Sequence, residues 1–216
     1  MAEQIRRVAV WSGRLRLAHW LVGGATLALI ATGWLLDAAP SLVAGALDFH
    51  YLAASALLVG LVLRAWLGFF GQGAERFEHL LLADSEVQAV RQSLVFYLTL
   101  GKAPLPNWFA HNPLWKPLYL LWLSTLVLAA VTGWLLPDMP VIGRIYLPTI
   151  HVWLANATAM LVLLHVYSVV LQDLRGQAAD SSAMINGHRY FTIDRESLVK
   201  PDLPEVSIRL DDIGKR

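Results

Sequence analysis

Four of the seven histidines in this sequence, His19, His50, His151 and His165, lie in or at the edge of long apolar stretches. An ionisable side chain inside a membrane is costly and is a functional candidate by default. An imidazole there can bond to a neighbouring helix, relay a proton or ligate a metal. One alone reads equally well as a structural group, whereas four together favour a shared task. In HVWLANATAMLVLLH, His151 and His165 stand fourteen residues apart. That spacing turns a helix through about 1400°, about 40° short of four full turns, so both rings leave one face. They are separated by about 21 Å along the axis, one near each membrane surface. The chain has no cysteine, which removes thiolate metal sites, iron–sulfur ligation and covalent c-type haem attachment.

These histidines need helices to carry them, and the composition supplies them. Of the 216 residues, 56% are apolar and 15% charged, outside the range of a soluble globular domain. Four runs contain no Lys, Arg, Asp or Glu: 17–36, 49–63, 117–136 and 145–172. A helix of about 20 residues crosses the hydrocarbon core, so four spans are expected, in an all-α integral membrane bundle. The first run is too long for a signal-peptide core and is expected to stay in the mature protein. Arg144 is the one basic residue in the short loops 37–48 and 137–148, and the other 16 of the 17 fall on the opposite side. The positive-inside rule therefore places both termini in the cytoplasm. Nucleic-acid binding has no support: the basic excess is what topology and anionic lipid demand.

Topology then pairs the histidines. His19, early in the first span, shares a depth with His165, and His50, opening the second span, shares a depth with His151. Two histidine pairs at two depths, drawn from different helices, are what two bis-histidine b-type haems stacked across a bilayer require. Gly23, Gly24, Ala53, Ala54, Ala155 and Ala157 beside them leave room for a flat group, though small residues also serve ordinary helix contacts. Arg16 and Arg64 either snorkel to the inner surface or pair with haem propionates. His79 and His188 are expected in solvent, and His111, in HNPLW, at the inner interface. Tryptophans near span ends, including Trp34 and Trp134, read as an interfacial belt.

Between the second and third spans, 74–104 mixes charges with Leu80, Val87, Val90, Leu94 and Tyr97 at helical spacing, and is expected as a cytoplasmic amphipathic helix. The membrane domain takes residues 1–175, and 176–216 form a cytoplasmic tail that serves as a docking surface. One pentapeptide occurs twice, a hundred positions apart: TGWLLDAAP from Thr32 and TGWLLPDMP from Thr132. Each ends an outward-running span, and His50 and His151 follow Gly33 and Gly133 by 17 and 18 residues. The repeat flanks the outer histidine pair only.

RLRLAHWLVGGATLALIATGWLL, HNPLW, the fourteen-residue histidine spacing and SSAMINGHRYF (181–191) together resemble the prokaryotic cytochrome b561 group. Within it they are most similar to the b-type cytochrome subunits of membrane-bound nickel–iron hydrogenases and formate dehydrogenases. The resemblance implies two haem b groups, ligated by His50 with His151 and by His19 with His165. It also implies reduction of quinone near the inner haem, with Asn112 as the matching asparagine, although an asparagine before proline is also a common turn residue. The expected function is electron transfer between a periplasmic redox partner, such as a hydrogenase or a c-type cytochrome, and the membrane quinone pool. A homodimer in the lipid is compatible with it. Two other classes remain: a transporter relaying protons or metal through its histidines, and a haem-bearing membrane anchor without quinone chemistry. The first of these predicts histidines converging at one depth.

Overall fold

The computed structural model of the chain describes residues 4–175 and 180–193; residues 194–216 of the expected tail, with Pro201 and Pro204, lie outside the described residues. Four long helices carry the apolar runs: α1 (Gly13–Ala38), α2 (Val43–Phe70), α4 (Trp115–Leu135) and α5 (Leu147–Arg175). Each is long and apolar enough to cross a membrane. Large apolar side chains such as Leu52, Val62, Trp66, Leu121 and Leu163 point outward, a surface stable only against lipid. The helices extend past the uncharged runs because caps, not composition, end them. Ser12 caps α1 by accepting the Leu15 N–H at 3.1 Å, and Gly71 ends α2.

The bundle is two antiparallel hairpins. α1 packs along α2, α4 packs along α5, and α2 meets α4 over a short stretch. The backbones of α1 and α2 approach α5 hardly anywhere, although packed helices ordinarily run 8–10 Å apart. A core of Ala25, Leu57, Leu61 and Leu126 joins the hairpins midway, and Leu15, Ala18 and Leu67 form a second cluster toward the termini. At the far end, β2 (Val141–Ile142) and β3 (Ile145–Tyr146) make a small ribbon in the α4–α5 connection. This is the loop end of the bundle, and the opposite one is the terminal end.

The α2–α4 connection is less helical than its periodicity predicts. Residues 73–86 form three short 3-10 turns, and the helix proper, α3, covers Val87–Leu98. The cause is local. Gly73 adopts φ +52, Glu75 turns its carboxylate back to the Gln72 N–H at 2.8 Å, and Glu86 does the same to the Ala83 N–H at 3.0 Å. Those reversals use backbone donors that a continuous helix would need.

A strand pair at the terminal end has no counterpart in the sequence analysis. β1 (Gln4–Ala9) pairs antiparallel with β4 (His188–Ile193), in a register running from Gln4 opposite Ile193 to Ala9 opposite His188. The short helix α6 (Asp180–Asn186) precedes β4. Both ends of the described chain thus meet at one end of the bundle, under α1 and α5.

Candidate functional site

The four span histidines gather as two pairs. His19 of α1 faces His165 of α5 with ring centres 6.2 Å apart, and His50 of α2 faces His151 of α5 at 6.3 Å. The two ring planes in each pair are inclined by 56° and 69°, which rotation about a shared ligand axis allows. An imidazole nitrogen binds a metal at about 2.0 Å with its ring centre about 1.1 Å behind it, so two rings opposed across one ion stand about 6.2 Å apart. Both pairs have that spacing. No cluster of three or more histidine or acidic groups exists among the described residues, so each pair offers two ligands and no more. A haem, with four equatorial nitrogens of its own, needs that number.

The surroundings also fit a flat, carboxylate-bearing group. A Cβ added at Gly23 or Gly24, on the turn after His19, would meet nothing within 4 Å. Six of the nine buried side-chain polar atoms that lack a hydrogen-bond partner among the described residues are nitrogens near the terminal-end pair. They are Arg16 Nε, His19 Nδ1, Arg64 Nη2, His111 Nδ1, Trp115 Nε1 and Trp122 Nε1. Trp115 and Trp122 pack edge-to-face with His165, with ring centres 5.5 and 5.7 Å away. Buried donors are normally satisfied, so this end is suited to a ligand rich in acceptors, as propionates or a quinone carbonyl are.

Arg64 stands fourteen residues after His50 on α2, level with the terminal-end pair, and is 3% exposed. Its guanidinium lies over the rings of Phe77 and Tyr119, donating to the Tyr119 hydroxyl at 2.7 Å and the Glu75 carbonyl at 3.0 Å. It does not snorkel. Arg16 donates to the Ile185 carbonyl, and Trp20 to that of Met184 at 2.9 Å, so α6 is tied down on both sides of His19. His111, expected at the inner interface, is half-buried between Trp11 and Tyr119. Burial first, then the charges of Arg64, Lys116 and His79, lower its pKa to about 3, so it is neutral at physiological pH. His79 stays about half exposed beside Glu78, and His188 contacts Arg7.

Asn112 is buried. Its amide donates to the Tyr97 hydroxyl at 2.9 Å, and its oxygen accepts the Leu114 N–H at 2.9 Å, so it also makes the turn that opens α4. Gln172, two helical turns beyond His165, donates to the same tyrosine hydroxyl. Tyr97 and Gln172 were not singled out for this cluster from sequence; an uncharged glutamine near the end of an apolar run was the available signal.

At the loop end the repeated pentapeptide meets the second histidine pair. Thr32 Oγ1 lies 2.9 Å from His50 Nδ1, and Thr132 Oγ1 lies 2.9 Å from His151 Nδ1. Trp34 and Trp134 are 70% and 72% exposed at the same level, as belt residues are.

The family model described as prokaryotic cytochrome b561 matches residues 10–187. Among curated proteins, the chain is 25% identical to a probable Ni/Fe-hydrogenase B-type cytochrome subunit of Azotobacter vinelandii, covering 89% of this chain and 94% of that one. It is 22% identical to a protein of the same description from Cupriavidus necator, covering 88% and 89%. A third, from Rhizobium leguminosarum bv. viciae, is 24% identical over 90% and 93%. No solved structure matches the chain.

Proposed function

We propose, from the premise that this chain belongs to the prokaryotic cytochrome b561 family, that it is a dihaem membrane cytochrome carrying electrons between a hydrogenase-like partner and quinone. The carrying observation is the pair of histidine couples at 6.2 and 6.3 Å. Their two depths argue against a single proton- or metal-relay site. Each bound haem b supplies a one-electron couple; everything else comes from the protein.

His50 and His151 would hold one group, and His19 and His165 the other, about 21 Å away along α5. Around the second, the Arg16, Arg64, Trp115 and Trp122 donors are available to its propionates, with Arg64 pre-oriented by Tyr119. The apolar flanks of both hairpins exclude water. Quinone is proposed to bind at the terminal end beside the Asn112, Tyr97 and Gln172 cluster, where the second N–H of the Asn112 amide is a donor for a quinone oxygen and protons arrive from the aqueous face. The distribution of basic residues supports a cytoplasmic terminal face and a periplasmic loop end, so that the partner would meet the loop-end site.

An oxidised-minus-dithionite-reduced spectrum and a haem assay of the purified chain test this reading. Two haem b per chain are expected, falling to one in His50→Ala or His151→Ala. A chain with no haem, or alanine variants that keep both groups, would overturn it.

A further inference from the structure

The loop-end pair has a support that the terminal-end pair lacks among the described residues. Each threonine of the repeat contacts a ligand ring and also a helical carbonyl four residues back: Thr32 with Ala28 at 2.7 Å, Thr132 with Leu128 at 2.9 Å. A carbonyl only accepts, so the single hydroxyl proton goes to it, and the hydroxyl lone pair faces the histidine Nδ1. That nitrogen must then carry the ring proton, and Nε2 is left with the lone pair that a metal requires. The neighbouring glycine completes the arrangement. A Cβ at Gly133 would stand 3.0 Å from His151 Cε1, and one at Gly33 3.6 Å from His50 Cε1, so each ring lies against bare backbone. At the terminal end, His19 Nδ1 is buried without a partner among the described residues, and His165 packs edge-to-face with the indoles of Trp115 and Trp122.

We propose that Thr32 and Thr132 are positioning residues of the loop-end haem, fixing the tautomer of both axial histidines and lowering the reduction potential of that haem. The inference rests on the dihaem reading above. An acceptor on Nδ1–H makes imidazole a stronger donor to the metal and orients it, and stronger axial donation favours the oxidised iron. With the support confined to one pair, the loop-end group is biased toward giving up its electron and the terminal-end group toward holding it. The TGWLL repeat is the sequence trace of this bias.

The test is an optical redox titration of the full chain in nanodiscs, with haem content measured on the same samples. Thr32→Val, Thr132→Val and the double variant remove the hydroxyl at nearly constant shape, and Thr32→Ser with Thr132→Ser restores it. The expected result is two haems throughout, with one of the two potentials shifting upward in the valine variants, most in the double. The other potential should stay fixed, and the serine variants should titrate like the parent. If valine variants lose one haem while serine variants keep it, the positioning role also stands. Unchanged potentials in the double valine variant would overturn the inference, as would serine variants that shift or lose haem as valine does. A parent chain without two haems would overturn the dihaem reading and the inference together, an outcome distinguishable by the haem assay alone.

Discussion

At the scale of single residues, the two glycines of the repeat are not equivalent, and the difference is measurable. A Cβ at Gly133 would be 3.0 Å from His151 Cε1, closer than ordinary contact, whereas one at Gly33 would be 3.6 Å from His50 Cε1. Overpacking of this kind costs about 1–3 kcal/mol, and here the group that must give way is the His151 ring. Gly133→Ala is expected to lower haem content from two toward one per chain, while Gly33→Ala keeps both, as read by haem assay. The span histidines, and which of them share a depth, were legible from periodicity and topology. The threonine contacts were not, because a threonine one residue before a glycine near a helix end has no periodic signature. Only the approach of α2 to α1, and of α5 to α4, brings each hydroxyl to an imidazole.

At the scale of elements, the terminal end is held by contacts that join distant parts of the chain. Gly187, between α6 and β4, adopts φ +85, and a Cβ there would stand 2.8 Å from the Trp11 carbonyl. Its own carbonyl accepts the Val10 and Trp11 N–H groups at 2.9 and 3.0 Å. Left-handed backbone costs a non-glycine residue about 1–3 kcal/mol, so Gly187→Ala is expected to loosen the β1–β4 ribbon. Faster hydrogen exchange over 4–11 and 183–191, with little change in α2, would show it. Glu75 makes the other junction: it accepts from Ser12, from Gln72 and from Arg14, the last at 3.2 Å. Burial pushes its carboxyl upward, but those three partners outweigh burial and hold it below its ordinary value of 4.5. A depressed carboxylate contributes stability above its unfolded pKa and loses it as pH falls through the folded one. Thermal stability of the parent is therefore expected to fall on acidification below about pH 4.5, and the gap to Glu75→Gln, present at pH 7, should close there. The expected α3 was real but shorter than its pattern, since helical spacing reports a favourable face and not the carboxylates that capture backbone N–H groups before it.

At the scale of the whole molecule, two helical hairpins are joined by a narrow apolar core, and two pairs of imidazoles face one another across the gap between them with ring centres 6.2 and 6.3 Å apart. Groups bound between the hairpins would replace missing contacts, and a ligand that binds only the folded state stabilises it by about 2.7 kcal/mol at a hundred times its Kd. Chain purified under haem limitation is expected to unfold at lower temperature than haem-loaded chain. His19→Ala combined with His151→Ala, which leaves one ligand in each pair, should abolish the difference. Differential scanning of the paired samples checks this; equal transitions in the parent would mean that the apolar contacts alone hold the hairpins together.

The sequence by itself determined the four spans, the two depths, the common face of His151 and His165 and, through four quoted segments, the family. These are consequences of local periodicity and of charge, which a single chain displays along its length. The tertiary structure alone decided that Arg64 stays buried on Phe77 and Tyr119, that Tyr97 and Gln172 join Asn112, and that β1 and β4, at the two ends of the described chain, form one ribbon. It also decided that the repeated threonines touch His50 and His151. Each of those facts depends on the distance between elements that lie far apart in sequence, and packing, not periodicity, sets that distance.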